Sequence, residues 1–448
     1  MNMQSVYIKT YGCQMNVYDS ERMAELLFAN GYKEADDPSN ADIVILNTCN
    51  IREKAAEKIY SELGRIRKHK LARKEEGRDM IVAVAGCVAQ AEGKIIMKRA
   101  PIVDIVIGPE SYHHLPDMLS DIKRKTKKGL SLNFTPNEKF DSLPKNRIAK
   151  GFSSFITVQE GCDKFCTFCV VPYTRGKEYS RPVDEIIDEV KNLVEQGVVE
   201  ISLLGQNVDA YHGKWIDRES TLAQLIDEVS KIPQIKRIRY TTSHPNNFTE
   251  DLIDAHKINP KLMPYLHLPV QSGSNSILQA MNRKHTREKY FKIIENLRKA
   301  RPDIALSSDF IVAFPGETDD DFAQTIDLVE KVGFSQSYSF KYSPRPGTPA
   351  SMKEPIPEDI ANQRLYKLQN LLKSQQNSFN AKFLGASMPI LFENKGIRGG
   401  NQVVGKSPYL QAVIVNIPEA HKPEEYFGKI MPVEITSVKE NSLFGEII

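Results

Sequence analysis

The sequence predicts an α/β protein of three modules: an N-terminal open parallel α/β sheet, a central partial (β/α)6 barrel and a C-terminal small OB-like β-barrel. Three observations carry this expectation. Apolar runs of strand length alternate with amphipathic stretches through the first third of the chain. The alternation resumes from Phe155 on a longer scale, with six strand-like runs. After about Gly385 the helical patterns stop, and short β-rich runs punctuated by glycine and proline take over. A chain of 448 residues, 41% hydrophobic and 26% charged, has room for two or three domains.

In the first module (residues 1–120) the strand candidates are Val6-Tyr7-Ile8, Ile43 to Leu46 and Ile81 to Ala85. Ser20 to Ala29 and Ile51 to Arg67 read as the helices between them. Residues 121–150 hold nine Lys/Arg against three acids, with two prolines and few branched apolar residues, and are expected to be a basic linker. In the barrel (residues 151–383) the strands are expected at 155–159, 200–204, 237–241, 265–268, 305–312 and 336–342. Helical patterns at 183–196, 221–232 and 319–332 separate several of them. A long helix over 357–383 leads to the last module (residues 384–448), with short strands at 389–392, 402–405, 411–415, 431–437 and 442–448.

Charge and targeting features narrow the function. Net charge is only +3, so no global basic field announces nucleic acid. Local blocks are more telling: residues 64–78 hold seven Lys/Arg against two Glu, and 121–150 are basic as above, and each reads either as a surface for phosphates or as a solvated helix face or linker. No apolar run reaches membrane-spanning length, and no secretory leader precedes the first strand. A reducing, cytoplasmic setting is expected, which suits free thiolates better than disulfides.

The chemistry sits in the cysteines. Cys162, Cys166 and Cys169 fall within eight residues, in Glu160-Gly161-Cys162-Asp163-Lys164-Phe165-Cys166-Thr167-Phe168-Cys169. Such a loop can aim three thiolates at one inorganic centre and leave one iron of a four-iron cubane open to a substrate or cofactor. Zinc usually takes four ligands, and no fourth cysteine or histidine lies close by. The other three, Cys13, Cys49 and Cys87, each follow a strand by a residue or two, about one β-α repeat apart. If the strands are parallel, all three emerge at one sheet edge, where open α/β sheets bind ligands. Polar or glycine-bearing clusters follow the barrel strands: Gly205-Gln206-Asn207, Thr242-Ser243-His244, Gln271-Ser272-Gly273 and Pro315-Gly316-Glu317. Gln206, Asn207, Ser243, Gln271 and Asp309 are the candidate cofactor contacts. His244 reads either as an acid–base group or as a structural histidine. No catalytic residue is assigned.

The C-x3-C-x2-C pattern resembles the radical SAM superfamily. Over essentially its whole length the chain resembles the methylthiotransferases. The shared features are Tyr11-Gly12-Cys13-Gln14-Met15-Asn16, Asn47-Thr48-Cys49, Ala85-Gly86-Cys87, Phe314-Pro315-Gly316-Glu317-Thr318 and Tyr342 to Ala350, followed by a module resembling a TRAM domain. Asn47 to Ala55 and Thr242-Ser243-His244-Pro245 resemble the MiaB group. The first motif differs from the Gly-Cys-Pro-Lys-Asn of the RimO group and the Gly-Cys-Lys-Val-Asn of the MtaB group. Ala313 stands where the MiaB pattern commonly has glycine.

The resemblance implies two 4Fe-4S clusters. Cys13, Cys49 and Cys87 would hold the auxiliary one, and Cys162, Cys166 and Cys169 the radical-generating one. It also implies S-adenosylmethionine as methyl donor and as source of a 5′-deoxyadenosyl radical. The target implied is C2 of N6-isopentenyladenosine at position 37 of tRNA. The target base must be loop-exposed or flipped. The partners implied are the tRNA anticodon stem-loop, an electron donor and a sulfur source, with no membrane. Residues 384–448 carry six Lys/Arg and seven Glu, so phosphate contacts are expected mainly from the basic segments, with Lys123, Arg124, Lys125 and Arg345 as candidates. The alternatives are methylthiolation of threonylcarbamoyl-adenosine or of a ribosomal-protein aspartate, or a non-enzymatic iron–sulfur carrier with an RNA-binding tail.

Overall fold

The computed structural model describes residues 3–50, 55–124, 128–396 and 401–448. Ile51 to Lys54 of the second cysteine motif, and Lys125, lie outside them. The chain forms two compact units: Met1–Ile148 with Glu160–Asp163 and Val170–Tyr179, and Ala149–Gln159 with Lys164–Cys169 and Ser180–Ile448.

In the first unit, strands β1 (Ser5–Tyr11), β2 (Lys33–Glu34), β3 (Ile43–Thr48), β4 (Ile81–Gly86), β5 (Ile105–Ile107) and β6 (Gly129–Ser131) make one parallel sheet in the order β2-β1-β3-β4-β5-β6. Every residue of β3 is buried. Val44, Leu46, Val82 and Val84 pack with Ile59, Leu63 and Ile66 of the helix Ala55–Glu75. Alternation along the strand turns Ile43 and Ile45 to the opposite face, and both are buried there. Burying each such side chain stabilises the fold by about 1.5–3 kcal/mol.

The segment expected as a basic linker is built into this unit. Residues 129–131 add the sixth strand, and a helix covers Pro136–Ser142. Lys139 and Arg147 are buried and ion-paired, so their charge marks internal bridges rather than a solvated tether.

In the second unit, β7 (Ser153–Thr157), β8 (Glu200–Leu204) and β9 (Arg237–Thr241) pair in parallel in the order β9-β8-β7, and β10 (Tyr265–His267), β11 (Ala305–Val312) and β12 (Gln336–Lys341) in the order β10-β11-β12. A parallel bridge joins Ile238 of β9 to Leu262, three residues before β10. This is the expected run of six barrel strands. Helix Glu358–Ala381 then leads to β13 (Ser387–Lys395), β14 (Gln402–Lys406), β15 (Ala412–Asn416), β16 (Ile430–Lys439) and β17 (Ser442–Ile447). They close into a barrel in the order β13-β14-β15-β17-β16 around Ile390, Phe392, Val403, Val413, Val433 and Leu443. Within the unit, Arg239 donates to the carbonyls of Ser407 and Pro408 at 2.9 Å each while pairing with Glu200 at 3.1 Å. Arg237 donates to the carbonyls of Lys406 and Pro389 at 2.8 and 2.5 Å.

Candidate metal centres and cofactor edge

In the first unit the register aligns Tyr11 with Thr48 and Thr48 with Gly86, so the chain leaves β1, β3 and β4 at one edge. Cys13, Cys49 and Cys87 are the next residues or next but one. Two glycines make room. A Cβ on Gly12 (φ +140°) would lie 2.2 Å from Cys49 Cβ, and one on Gly86 (φ +91°) 2.4 Å from the Thr48 carbonyl oxygen. A buried amide pair fixes the first two loops. Asn47 Nδ2 donates to Asn16 O at 2.8 Å and Ser20 Oγ at 2.9 Å, and Asn16 Nδ2 donates to Thr48 O at 3.2 Å.

Cys13 donates to Asn16 Oδ1 at 3.2 Å. Its pKa is lowered to about 6, by its hydrogen bond with Cys49 first and then by the charge of Arg175, against the effect of burial. Burial pushes the Cys87 thiol up, and the charge and hydrogen bonding of Arg175 oppose that. All six cysteines are free thiols. Three thiols at one edge, one readily ionised, fit a group held by three thiolates.

Cys162 also lies in this unit, where its N–H donates to Gly176 O at 3.2 Å. The preceding Gly161 has φ +74°, and a Cβ there would meet Lys177 O at 1.9 Å.

Cys166 and Cys169 belong to the second unit. Cys169 N donates to Cys166 O at 3.0 Å, closing a tight turn. Thr167 is tied to Met281 O and Ala350 N by backbone bonds, and Arg283 Nη1 approaches Cys166 Sγ at 3.7 Å. The candidate cofactor contacts divide. Gln206 and Asn207 follow β8, and Gln159 Oε1 accepts from both of their N–H groups, at 2.9 and 3.1 Å. Ser243 follows β9 and is buried, and its hydroxyl has no hydrogen-bond partner among the described residues. Gln271 takes φ +75° beyond β10 and bridges to β11 through Asp309 O and Ile311 N. Asp309 differs from expectation. It lies inside β11 rather than beyond it, opposite Tyr338, with His267 Nε2 3.5 Å from its carboxylate.

A family model described as the uncharacterized protein family UPF0004 matches residues 5–108, and one for the radical SAM superfamily matches residues 156–329. A tRNA-2-methylthio-N(6)-dimethylallyladenosine synthase of Rickettsia bellii (strain RML369-C) is 57% identical over 447 residues, covering 99% of each chain. One of that name from Rickettsia felis is 55% identical over 448 residues, covering 99% of this chain and 100% of that one. The chain belongs to this synthase family. Among solved structures, the radical S-adenosylmethionine methyltransferase TsrM from Kitasatospora setae, with cobalamin and a 4Fe-4S cluster bound, superposes with TM-score 0.58. It is 13% identical and covers 78% of this chain and 77% of its own. The cobalamin-dependent S-adenosylmethionine radical enzyme OxsB gives TM-score 0.55 at 13% identity, covering 82% of this chain and 56% of its own. At these identities the likeness is one of fold.

The synthase-family motifs do not reveal a buried charge network beside the first triad. Arg175 donates to Glu160 Oε1 at 2.6 Å and to Asp19 Oδ2 at 2.5 Å. Lys139 Nζ lies 2.5 Å from Glu160 and 3.8 Å from Glu110. Burial, then the charge of Glu160, pushes the Glu110 carboxyl up to about 8. The available signal was Arg175 itself, six residues beyond Cys169.

His244 reads as structural. Its Nδ1 accepts from Asn246 N at 3.1 Å, its own N–H donates to both oxygens of Asp209, and burial holds its pKa far below normal. Lys123 sits at the end of helix Leu115–Lys123, its ammonium donating to Tyr32 OH at 2.9 Å, and Arg124 follows it. Arg345 lies in the loop after β12.

Proposed function

We propose that this protein adds a methylthio group to C2 of N6-isopentenyladenosine at position 37 of tRNA. The observation that carries this reading is the full-length identity to synthases of that name, combined with two cysteine triads of which the first converges on one sheet edge. Cys13, Cys49 and Cys87 would hold one 4Fe-4S cluster, and Cys162, Cys166 and Cys169 a second. Reduced clusters with an open iron, together with S-adenosylmethionine, supply a methyl group and the 5′-deoxyadenosyl radical that an unreactive C2–H requires.

The chain's own residues do the rest. Gln206, Asn207, Ser243, Gln271 and Asp309 present polar atoms for S-adenosylmethionine. Lys123, Arg124, Lys125 and Arg345 meet phosphates of the anticodon stem-loop. An electron donor and a sulfur source act from outside the chain, in a reducing cytoplasmic setting that keeps such thiolates free.

Iron counting and electron paramagnetic resonance on anaerobically reconstituted protein test the two sites. Changing Cys162, Cys166 and Cys169 together to alanine should leave one cluster. A variant that binds no iron sinks the two-site assignment. Turnover is compared on stem-loops with and without the isopentenyl group, and on ribosomal protein. Equal turnover of the unprenylated RNA, or methylthio transfer to protein, overturns the substrate.

A further inference from the structure

A second set of metal-ligating side chains lies in the first unit and has no part in the proposed reaction. His113, His114 and Glu138 each offer one ligand atom, and these atoms lie within 4.8 Å of one another. The histidines end the short 3-10 turn Tyr112–His114, and Glu138 sits in the first turn of helix Pro136–Ser142. The two segments are held together without any of the three side chains. Ser111 Oγ donates to Asn133 O at 2.8 Å, and Thr135 Oγ1 donates to Glu110 O at 3.5 Å. The state of His113 is an independent observation. It is only 8% exposed, and neither of its ring nitrogens has a hydrogen-bond partner among the described residues. A buried imidazole ordinarily finds partners for its nitrogens, in hydrogen bonds or on a metal. Its ring centroid lies 3.9 Å from that of His114, with the planes at 44°. Packed aromatic rings usually stand about 4.5–7 Å apart, so packing alone does not account for the pair.

We propose that His113, His114 and Glu138 bind one divalent ion of the zinc class, with water in the fourth position. Two imidazoles and a carboxylate favour such an ion over magnesium or calcium, which take oxygen ligands. Donor atoms around one tetrahedral zinc stand roughly 3.3 Å apart. His114 is half-buried and Glu138 exposed, so rotation of these two side chains closes the set without moving the backbone. Lys139, next to Glu138, is fully buried with its ammonium 2.5 Å from Glu160, so its charge is met there. Bound at this place, the ion clips the 3-10 turn to the helix that carries Lys139. The site does not depend on what the six cysteines hold.

The test uses the full-length chain, anaerobically reconstituted with iron and sulfide so that the thiols are occupied, and zinc chloride as the probe. Zinc per chain is counted after desalting, and affinity is read by competition with a chelating dye. The parent should hold one zinc more than the double variant His114→Ala with Glu138→Gln. Glu138→Gln alone, a change at an exposed position, should weaken zinc at least tenfold. X-ray absorption of the zinc that the double variant loses should show nitrogen and oxygen at about 2.0–2.2 Å and no sulfur at about 2.3 Å. Zinc should raise the Tm of the parent and leave that of the double variant where it was. Equal zinc content and affinity in parent and double variant overturn the proposal, as does a sulfur shell on the zinc that is lost. Should the double variant not fold, Glu138→Gln decides by itself: unchanged affinity refutes the site.

Discussion

Ala313 carries a left-handed backbone, φ +56°, at the turn into Phe314-Pro315-Gly316-Glu317. Its N–H donates to Glu317 Oε2 at 2.7 Å, and Arg364 holds the same carboxylate at 2.8 Å, so the turn cannot relax without breaking a buried pair. A Cβ in this conformation costs on the order of 1–2 kcal/mol. That is the physical reason a glycine suits the position. Ala313→Gly should raise stability by about 1 kcal/mol, part of the gain being offset by the freer unfolded chain. Urea unfolding checks this, and a loss of stability would sink it. His256 gives a pH-dependent case. It is fully buried, bonded to Tyr240 OH at 2.7 Å, and burial, with Arg301 second, lowers its pKa to about 3. The unfolded histidine titrates near 6.5, so below that pH the unfolded chain binds the extra proton. Stability from this group is present above pH ~6.5 and lost as pH falls toward 3, by roughly 2 kcal/mol at pH 5. His256→Gln should lose less between pH 7.5 and pH 5 than the parent. Equal losses would show that His256 is not the titrating group.

Strands β8, β9 and β11 fall on the residues expected, because each is a short run carrying apolar residues that ends at a polar or glycine-bearing turn. The meeting of Cys13, Cys49 and Cys87 was legible for the same reason: parallel strands of similar length deliver their next residues to one edge. The segment 121–150 was not legible. β6 has three residues, too few to show a period, and charge there was read as exposure, although Lys139 is 0% exposed. Its partners Asp19, Glu110 and Glu160 are remote in sequence, and local patterning carries no sign of such a bridge. Arg237 and Arg239 hid in the same way, as charged residues within a strand whose heads cross to β13, β14 and the loop after β14. Removing one partner of a buried pair costs about 3–5 kcal/mol. Arg239→Met takes from Glu200 its partner at 3.1 Å, leaving Arg237 at 3.8 Å, and leaves the Ser407 and Pro408 carbonyls without this donor, so a loss toward the lower end of that range is expected. Proteolytic cleavage near residues 384–411 should also accelerate, because the arginine is one of the clasps on the C-terminal barrel. Unchanged cleavage in a destabilised protein would mean that the barrel is held by other contacts.

At the scale of the whole molecule, charge is spread thinly: +3 over 448 residues. The C-terminal barrel, whose shape suits nucleic acid, brings no net positive charge to that task. Part of the basic content of 121–150 is spent internally, since Lys139 and Arg147 are buried in ion pairs. Phosphate recognition must then fall on the cations that remain at the surface. Lys123 and Arg124, at the end of their helix, are the described members of the candidate set in the first unit, and the bond from Lys123 to Tyr32 OH is solvent-exposed and leaves its charge intact. Each phosphate contact releases condensed counterions, so each one lost flattens the log–log dependence of affinity on salt by roughly 0.7–0.9. Lys123→Glu with Arg124→Glu should weaken binding to prenylated and unprenylated stem-loops alike and reduce that slope by between one and two. Their effect on discrimination between the two RNAs should be nil, because phosphates carry no information about the base. A salt titration of both RNAs with the parent and the double variant separates these effects. If affinity and slope both stay at the parent's values, these residues do not touch the RNA. If only the prenylated RNA is affected, they act at the base and not along the backbone.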